Sequence, residues 1–327
     1  MKHFLILLSA LFLLTACGSK KYFEPENVKS TLKIEKSSLS STIKSMNRDG
    51  ATLEDGTIIT GDGVSKFKLP ENFNFLNTSN TGKVLATNYK DTLLIGNKEF
   101  KFDNIVVAAS LKDNKLAVLY SDNSIELLDV NTKKTLFKEY LTVSLANDTR
   151  IANPHFMGNL ILFPTLNGKI IIVSSITNKS VKNISVDLDN QFNNIIFLKV
   201  IEDKQTLIAA SANKLVTIST EKITLKDFQI RDIIINKESI YLATIDGRLI
   251  KLNLQLEKIK SKKFKYSKIH ALAFTNSLYA VESQNYLINI NEEFTNNTVY
   301  DFDFNNEERL IVIKNKIYTD EREITLP

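Results

Sequence analysis

The chain has 327 residues, 43% hydrophobic and 24% charged, with 42 Lys+Arg against 37 Asp+Glu, a formal net charge of +5 and one cysteine. Such a length and apolar content permit a sizeable core, in one large domain or two ordinary ones. A single thiol excludes an intramolecular disulfide and a cysteine metal cluster, and basic residues this scattered and this nearly balanced argue against nucleic acid as a partner.

In chain order, Met1 and Lys2 lead into an apolar run from Phe4 to Leu14, about eleven residues where a membrane-spanning helix needs about 20. A charged start and a short apolar run make a signal peptide, assigned to residues 1–16. The run ends in Leu14-Thr15-Ala16-Cys17, which resembles the lipobox of bacterial lipoproteins; the alternative is an ordinary secretory signal with an incidental cysteine. The resemblance implies that the Cys17 thiol takes a diacylglycerol, that the segment before it is removed, and that acyl chains such as palmitate tether the exported protein. Each buried methylene contributes about 0.8 kcal/mol to such an anchor. Gly18 in place of an aspartate after Cys17 implies sorting to the outer membrane, facing the periplasm. Residues 17–30 are polar, carry Pro25 and show neither strand nor helix period, so they are expected to be a flexible tether. From Thr31 to Asn47 the pattern leaves strand and short helix open.

Beyond residue 48 one theme recurs: an apolar strand-like run, a tight polar turn, a second run, a second turn. It is clearest in KLAVLYSDNSIELLDV (115–130), NLILFPTLNGKIIIVS (159–174), SIYLATIDGRLIKLNL (239–254) and SLYAVESQNYLINI (277–290). Asn167-Gly168 and Asp246-Gly247 read as two-residue type I′ hairpin turns, whose central positions need positive φ. Ile250, Leu252 and Leu254 alternate with Lys251 and Asn253, a strand period. Weaker copies lie at 51–63, 87–100, 206–219 and 309–320. Placing Asn123, Gly168 and Gly247 in register aligns Ile125, Ile170 and Leu249, then Lys134, Lys179 and Lys258. Turn centres near 55, 91, 122, 167, 213, 246, 284 and 315 repeat about every 37 residues, close to the ~40–45 of a four-stranded propeller blade.

An all-β chain of so many short strands must dispose of its edges, and radial repetition does so. Residues 31–327 are therefore expected to form a β-propeller of eight four-stranded blades, with seven as the alternative. Residues 31–36 are expected to close the ring by pairing with 323–327.

The segments 123–141, 168–186 and 247–264 resemble the repeats of pyrroloquinoline-quinone-type propellers, Gly-x-apolar-x-Ala-apolar-Asp/Asn followed by a second turn. Joined to a lipobox, the pattern is similar to the BamB-type lipoproteins of the outer-membrane β-barrel assembly machinery. Departures are the absence of tryptophan, a short irregular period, and Lys133, Asn178 and Glu257 where the second turn has glycine. The resemblance implies a non-catalytic, lipid-anchored periplasmic scaffold whose partners are envelope proteins, that machinery among them. A ligand-binding or sensory propeller, holding a small molecule or glycan in its channel, is the second reading, and a propeller enzyme the last. Quinoprotein relatives sandwich their cofactor between a tryptophan and a vicinal disulfide, and this chain has neither.

No catalytic, cofactor-binding or metal-binding residue is assigned, and Cys17 is the one modification site. His155 and His270 are far apart in sequence, with no second ligand at metal spacing. His155 reads as a surface or capping residue in a loop entering a strand, and His270 as lying on a strand face. Glu54, Asp55 and Asp62 could suit calcium, but Asp-Gly is what a turn demands. The basic run KIKSKKFKY (258–266) reads as a solvated strand and turn, with phospholipid headgroups or an acidic partner as the alternative.

Overall fold

The computed structural model describes residues 21–30, 32, 34–144, 146–304 and 307–327. Alternating β-branched and turn-forming segments fold, among these residues, into eight sheets of four or more strands, with one 3-10 turn at Glu202–Lys204 as the sole helical element. From the axis outward, blade 1 holds Ile43–Met46, Ala51–Leu53, Thr57–Thr60 and Gly63–Lys68, and blade 2 holds Asn74–Thr78, Val84–Thr87, Thr92–Ile95 and Lys98–Lys101. Blade 3 holds Val106–Lys112, Lys115–Tyr120, Ile125–Asp129 and Lys134–Glu139, and blade 4 holds His155–Met157, Leu160–Pro164, Lys169–Ser174 and Lys179–Ser185. Blade 5 holds Phe197–Ile201, Thr206–Ala210, Lys214–Ile218 and Ile223–Asp227, and blade 6 holds Ile230–Asn236, Ser239–Thr244, Arg248–Leu252 and Lys258–Lys263. Blade 7 holds Ile269–Phe274, Leu278–Glu282, Tyr286–Ile290 and Asn297–Asp301; blade 8 holds Ile311–Ile313, Lys316–Tyr318, Arg322–Thr325 and, outermost, Glu35–Ser38. The chain is an eight-bladed β-propeller.

The core is eight apolar wedges, one between each pair of neighbouring blades. Between blades 3 and 4, Ala117, Leu119, Ile125 and Leu127 meet Ile161, Phe163, Ile171 and Val173. Because each sheet is stacked between two others, its inner strands have no solvent face. Leu116 to Tyr120 are buried without interruption. The strand read at 250–254 is Arg248–Leu252, so Leu254 lies beyond its end. Lys251 is itself buried, its ammonium 2.9 Å from Glu292 of blade 7 and 5.7 Å from the Tyr241 ring centroid.

Outermost strands are mostly exposed, and that of blade 1 alternates between half-buried and exposed residues. In blades 1 to 6 they carry thirteen lysines against Glu99, Glu139 and Asp227, a charged fringe that discourages edge pairing with other chains. Some of these lysines fold back on the turn between the second and third strands. Lys68 Nζ lies 2.6 Å from Asp55, Lys101 Nζ 3.0 Å from Asp91 and Lys263 Nζ 2.9 Å from Asp246. The Lys68 hydrogen bond holds the Asp55 carboxyl below its ordinary range, while at Asp246 the Thr244 hydroxyl leads and Lys263 adds to it.

The turns at 165–168 and 244–247 are not type I′. Gly168 and Gly247 have φ of 76° and 77°, but Asn167 and Asp246 do not have positive φ. Gly247 N–H donates to Thr244 O at 3.1 Å, closing a type I turn followed by one left-handed residue. The threonine hydroxyl fixes both turns, accepting from Lys169 N at 2.9 Å in one and from Arg248 N at 3.2 Å in the other. The second-turn position is left-handed at Lys133 and Asn178 as the alignment places it, but in blade 6 it falls on Leu256 rather than Glu257. The turn near 315 joins the first two strands of blade 8, so the equivalent of the other seven centres is at 319–321.

Ring closure follows the expected pairing. The undecided stretch 31–47 supplies strands to two blades: Glu35–Ser38 runs antiparallel to Arg322–Thr325, with Glu35 opposite Thr325 and Ser38 opposite Arg322, and Ile43–Met46 starts blade 1. Residues 21–30, within the segment expected to be a tether, also contact the wheel. Val28–Lys29 adds a parallel fifth strand to blade 7, and the Phe23 ring is buried between blades 6 and 7, 6.0 Å from Phe264 and 5.8 Å from Tyr286.

Candidate functional site

The innermost strands enclose an axial channel of 1480 Å³. Seven Lys or Arg side chains and four Asp or Glu side chains line it, so the field inside is positive. Lys112 and Lys199 lie on this wall with no carboxylate ion pair among the described residues. Burial pushes the Lys199 ammonium below its ordinary range, and repulsion from Arg48 adds to the shift.

One turn crosses the channel. In Asn47-Arg48-Asp49-Gly50 of blade 1, Asn47 Oδ1 accepts from the backbone N–H of Asp49 at 2.8 Å and of Gly50 at 3.1 Å, and Asn47 N–H donates to Gly50 O at 2.9 Å. A side chain at residue 50 would sit 2.1 Å from Ile59 O, so glycine lets the turn fold this tightly. Arg48 then reaches the far wall. Its guanidinium pairs with Asp232 of blade 6 at 3.2 Å, donates to Ile233 O, and stacks on Phe197 of blade 5 at 4.7 Å from the ring centroid. Asp49 accepts from Asn153 Nδ2, on the approach to blade 4, at 2.6 Å. Water reaches Asp49 inside the channel, yet protein surrounds it, and this burial raises its carboxyl above the ordinary range; the Asn153 hydrogen bond and Arg48 offset part of the rise. The second Asp232 oxygen accepts from Leu272 N of blade 7 at 2.7 Å. Thus Arg48 and Asp49 tie blade 1 to blades 4, 5 and 6, and Asp232 extends the tie to blade 7. Arg48→Ala is expected to lower unfolding stability by about 2 kcal/mol, since it strips the counter-ion from a largely buried carboxylate. An unchanged urea midpoint would show that the crossbar adds no stability.

The face carrying the connections between blades is uneven. Those after blades 1, 2, 5 and 6 are five residues or fewer, whereas 140–154 and 186–196, after blades 3 and 4, are the longest. Side chains tie these two together. Asp148 N–H donates to Asn194 Oδ1 at 2.7 Å, Asn194 Nδ2 donates to Arg150 O at 2.8 Å, and Arg150 pairs with Asp148 at 2.5 Å and donates to Arg231 O at 2.7 Å. Buried Asn123 links the base of this platform, donating to Thr142 O and accepting from Leu166 N, both at 2.7 Å. On it, Tyr140, Val143, Leu188 and Phe192 are 72%, 59%, 53% and 48% exposed. Phe192 stands at the channel mouth with φ of 56°, a conformation costly for a bulky residue.

With this geometry in place, comparison with known proteins gives two results. The chain is 28% identical, over 98% of its length and 70% of the relative's, to the Plasminogen-binding protein PgbB of one Helicobacter pylori strain, and 29% identical over the same shares to PgbB of another. Its architecture is similar to BamB from Moraxella catarrhalis, with a TM-score of 0.69 and 14% identity over 90% of this chain and 99% of that one. The C-terminal WD40 domain of Sif2 gives 0.64 and 11%, over 92% and 99%. At identities this low, the likeness to these solved structures shows the propeller fold alone. No protein-family model matches the chain.

The residues singled out by sequence are dispersed. Cys17 and the 1–16 leader lie outside the described residues. Glu54, Asp55 and Asp62 form no ligand set: Asp55 is engaged by Lys68 and Thr57, and Asp62 lies 3.4 Å from Lys314. Among the described residues no group of three His, Cys, Asp or Glu is placed to hold a metal. His155 is not a surface cap. It opens the innermost strand of blade 4 on the channel wall, where burial lowers its pKa and Nε2 has no hydrogen-bond partner among the described residues. His270 lies on a strand as expected, its ring 5.4 Å from that of Phe304. Arg48, Lys199 and Phe192 carried no sequence signal, because each acquires its setting from blades distant in the chain.

Proposed function

We propose that this chain is a non-catalytic docking propeller of the cell envelope, exported by the 1–16 leader, acylated at Cys17 and held at the outer membrane facing the periplasm. Its repeats are read as degenerate pyrroloquinoline-quinone-type repeats, and its partner as another protein. The observation that carries the reading is the platform of 140–154 and 186–196, where a strained, half-exposed Phe192 and exposed Tyr140, Val143 and Leu188 stand on a side-chain-braced base. Exposed apolar and aromatic side chains presented on a braced scaffold are the usual anchors of a protein interface. A relative over nearly the whole chain named for binding plasminogen supports a protein partner, and the BamB-like fold supports an assembly partner among envelope proteins.

The test uses the full chain immobilised against plasminogen, with a parallel pull-down from gently solubilised envelopes scored for barrel-assembly subunits. Tyr140→Asp with Phe192→Asp is expected to weaken capture of whichever protein binds by about thirty-fold, as loss of interface hot spots does, with an unchanged melting temperature. Parent and variant binding equally, or neither protein being captured, overturns the reading. A second reading, a small anion in the channel, is favoured by Lys112 and Lys199 on its wall. Native mass spectrometry of protein purified from its own cells would then show a retained anionic mass that Lys112→Gln with Lys199→Gln releases.

A further inference from the structure

The outermost strand of blade 6, Lys258–Lys263, holds four of the thirteen outer-strand lysines, and Lys265 and Lys268 follow it. Lys263 is taken by Asp246 and Lys262 donates to Asn297, which leaves Lys258 and Lys260 exposed with no carboxylate partner among the described residues. Lys265 rests over the Tyr266 ring at 5.1 Å. The chain's N-terminal part emerges at the same spot. Lys21 Nζ lies 5.5 Å from the Tyr266 ring centroid, and two residues later Phe23 is clamped between Phe264 and Tyr286. Lys21 is four Cα steps from Cys17, a reach of at most about 14 Å.

We propose that the propeller stands on the bilayer on this rim, with Lys258, Lys260 and Lys265 against anionic phospholipid headgroups. The inference rests on acylation at Cys17. A lipid anchored within about 14 Å of Lys21 brings the membrane surface to blade 6 and cannot bring it to the opposite rim at blade 2. Charge complementarity holds that contact, since each lysine near an anionic surface adds about 1 kcal/mol. Beside the lysines, Tyr22, Tyr266 and Ile259 are 44%, 40% and 46% exposed. Tyrosines of this kind, apolar in body and polar at the tip, suit the headgroup level.

The full chain, made in a lipoprotein-processing host, is reconstituted into phosphatidylethanolamine–phosphatidylglycerol vesicles or phosphatidylcholine vesicles. Lysine acetylation is read by mass spectrometry. Lys258, Lys260 and Lys265 are expected to be protected about five-fold or more on the phosphatidylglycerol vesicles, with Lys98, Lys101, Lys179 and Lys182 unchanged, and the protection is lost near 1 M salt, where the Debye length is about 3 Å. In a full chain with Cys17→Ser, changing all three lysines to Glu is expected to weaken co-sedimentation with these vesicles on the order of a hundred-fold. An intact mass without acyl groups sinks the anchor, and the inference with it. An acylated chain whose three lysines label equally on both vesicle types, or are protected only when an acidic protein is added, overturns the inference and leaves the anchor standing.

Discussion

A chain lacking residues 21–40 is expected to melt at least about 10 °C below the intact protein and to aggregate on heating. The deletion takes away Glu35–Ser38, leaving Arg322–Thr325 as an unpaired edge, and removes Phe23 from the wedge between blades 6 and 7 and Leu32 and Ile34 from that between blades 7 and 8. Burial of Phe23 alone stabilises by about 3 kcal/mol, and the partly buried Leu32 and Ile34 with the lost strand pairing bring the expected loss to about 5 kcal/mol or more. In a domain of this size each kcal/mol moves the midpoint by about 2 °C. The freed edge also offers a template to other chains. Phe23→Ala, which keeps the closing strand, is expected to cost about 3 kcal/mol by itself. Differential scanning calorimetry of both variants decides the matter: a deletion that melts with the parent would mean that the seven complete blades hold the ring unaided.

Gly168→Ala is expected to destabilise by about 3 kcal/mol or more, and Gly61→Ala to be neutral or slightly stabilising. At residue 168 the added methyl would lie 1.7 Å from Asp187 O, and the backbone there has φ of 76°. The contact is with main chain, not with a side chain that could swing away. Gly168 O accepts from Val186 N at 2.8 Å, so the third strand of blade 4 starts against the end of the fourth, and moving one moves the other. At Gly61 nothing lies within 4 Å of the methyl and φ is not in the left-handed region, so alanine only reduces the freedom of the unfolded chain. Chemical denaturation of the pair compares them directly. Equal midpoints would mean that the close approach at 168 relaxes freely.

Local chemistry carried most of the fold into the sequence. Thr165-Leu166-Asn167-Gly168 and Thr244-Ile245-Asp246-Gly247 announce turns because hydroxyl, amide or carboxylate, and glycine satisfy a reversing backbone within four residues. The turn type was not legible in the same way. Asn-Gly serves both a two-residue and a three-residue loop, so the dipeptide alone does not select between them. Lys251 shows a second gap. Its period-2 neighbours suggest a solvent face, but blade 7 covers that face and supplies Glu292 as its counter-ion.

The candidate site was barely legible at all. Arg48 and Asp232 are 184 residues apart, and Asp49 and Asn153 are separated by 104; no local pattern announces that these pairs face one another across an axis. Tyr140, Val143, Leu188 and Phe192 look in sequence like ordinary apolar residues near strand ends. Their exposure follows from two connections too long to lie flat between neighbouring blades.

What the sequence by itself determined was the unit: a short antiparallel sheet, repeated eight times, with glycine, asparagine and aspartate at the reversals and lysine along the outer edge. Those features depend on contacts within a few residues, whose energies are set by the residues themselves. Only the tertiary structure decided which side chains line the channel, how Arg48 bars it, which face carries the apolar platform, and that the start of the chain docks beside the basic rim of blade 6. Each of these depends on the closed ring, which brings together residues whose separation in sequence leaves no local energetic trace.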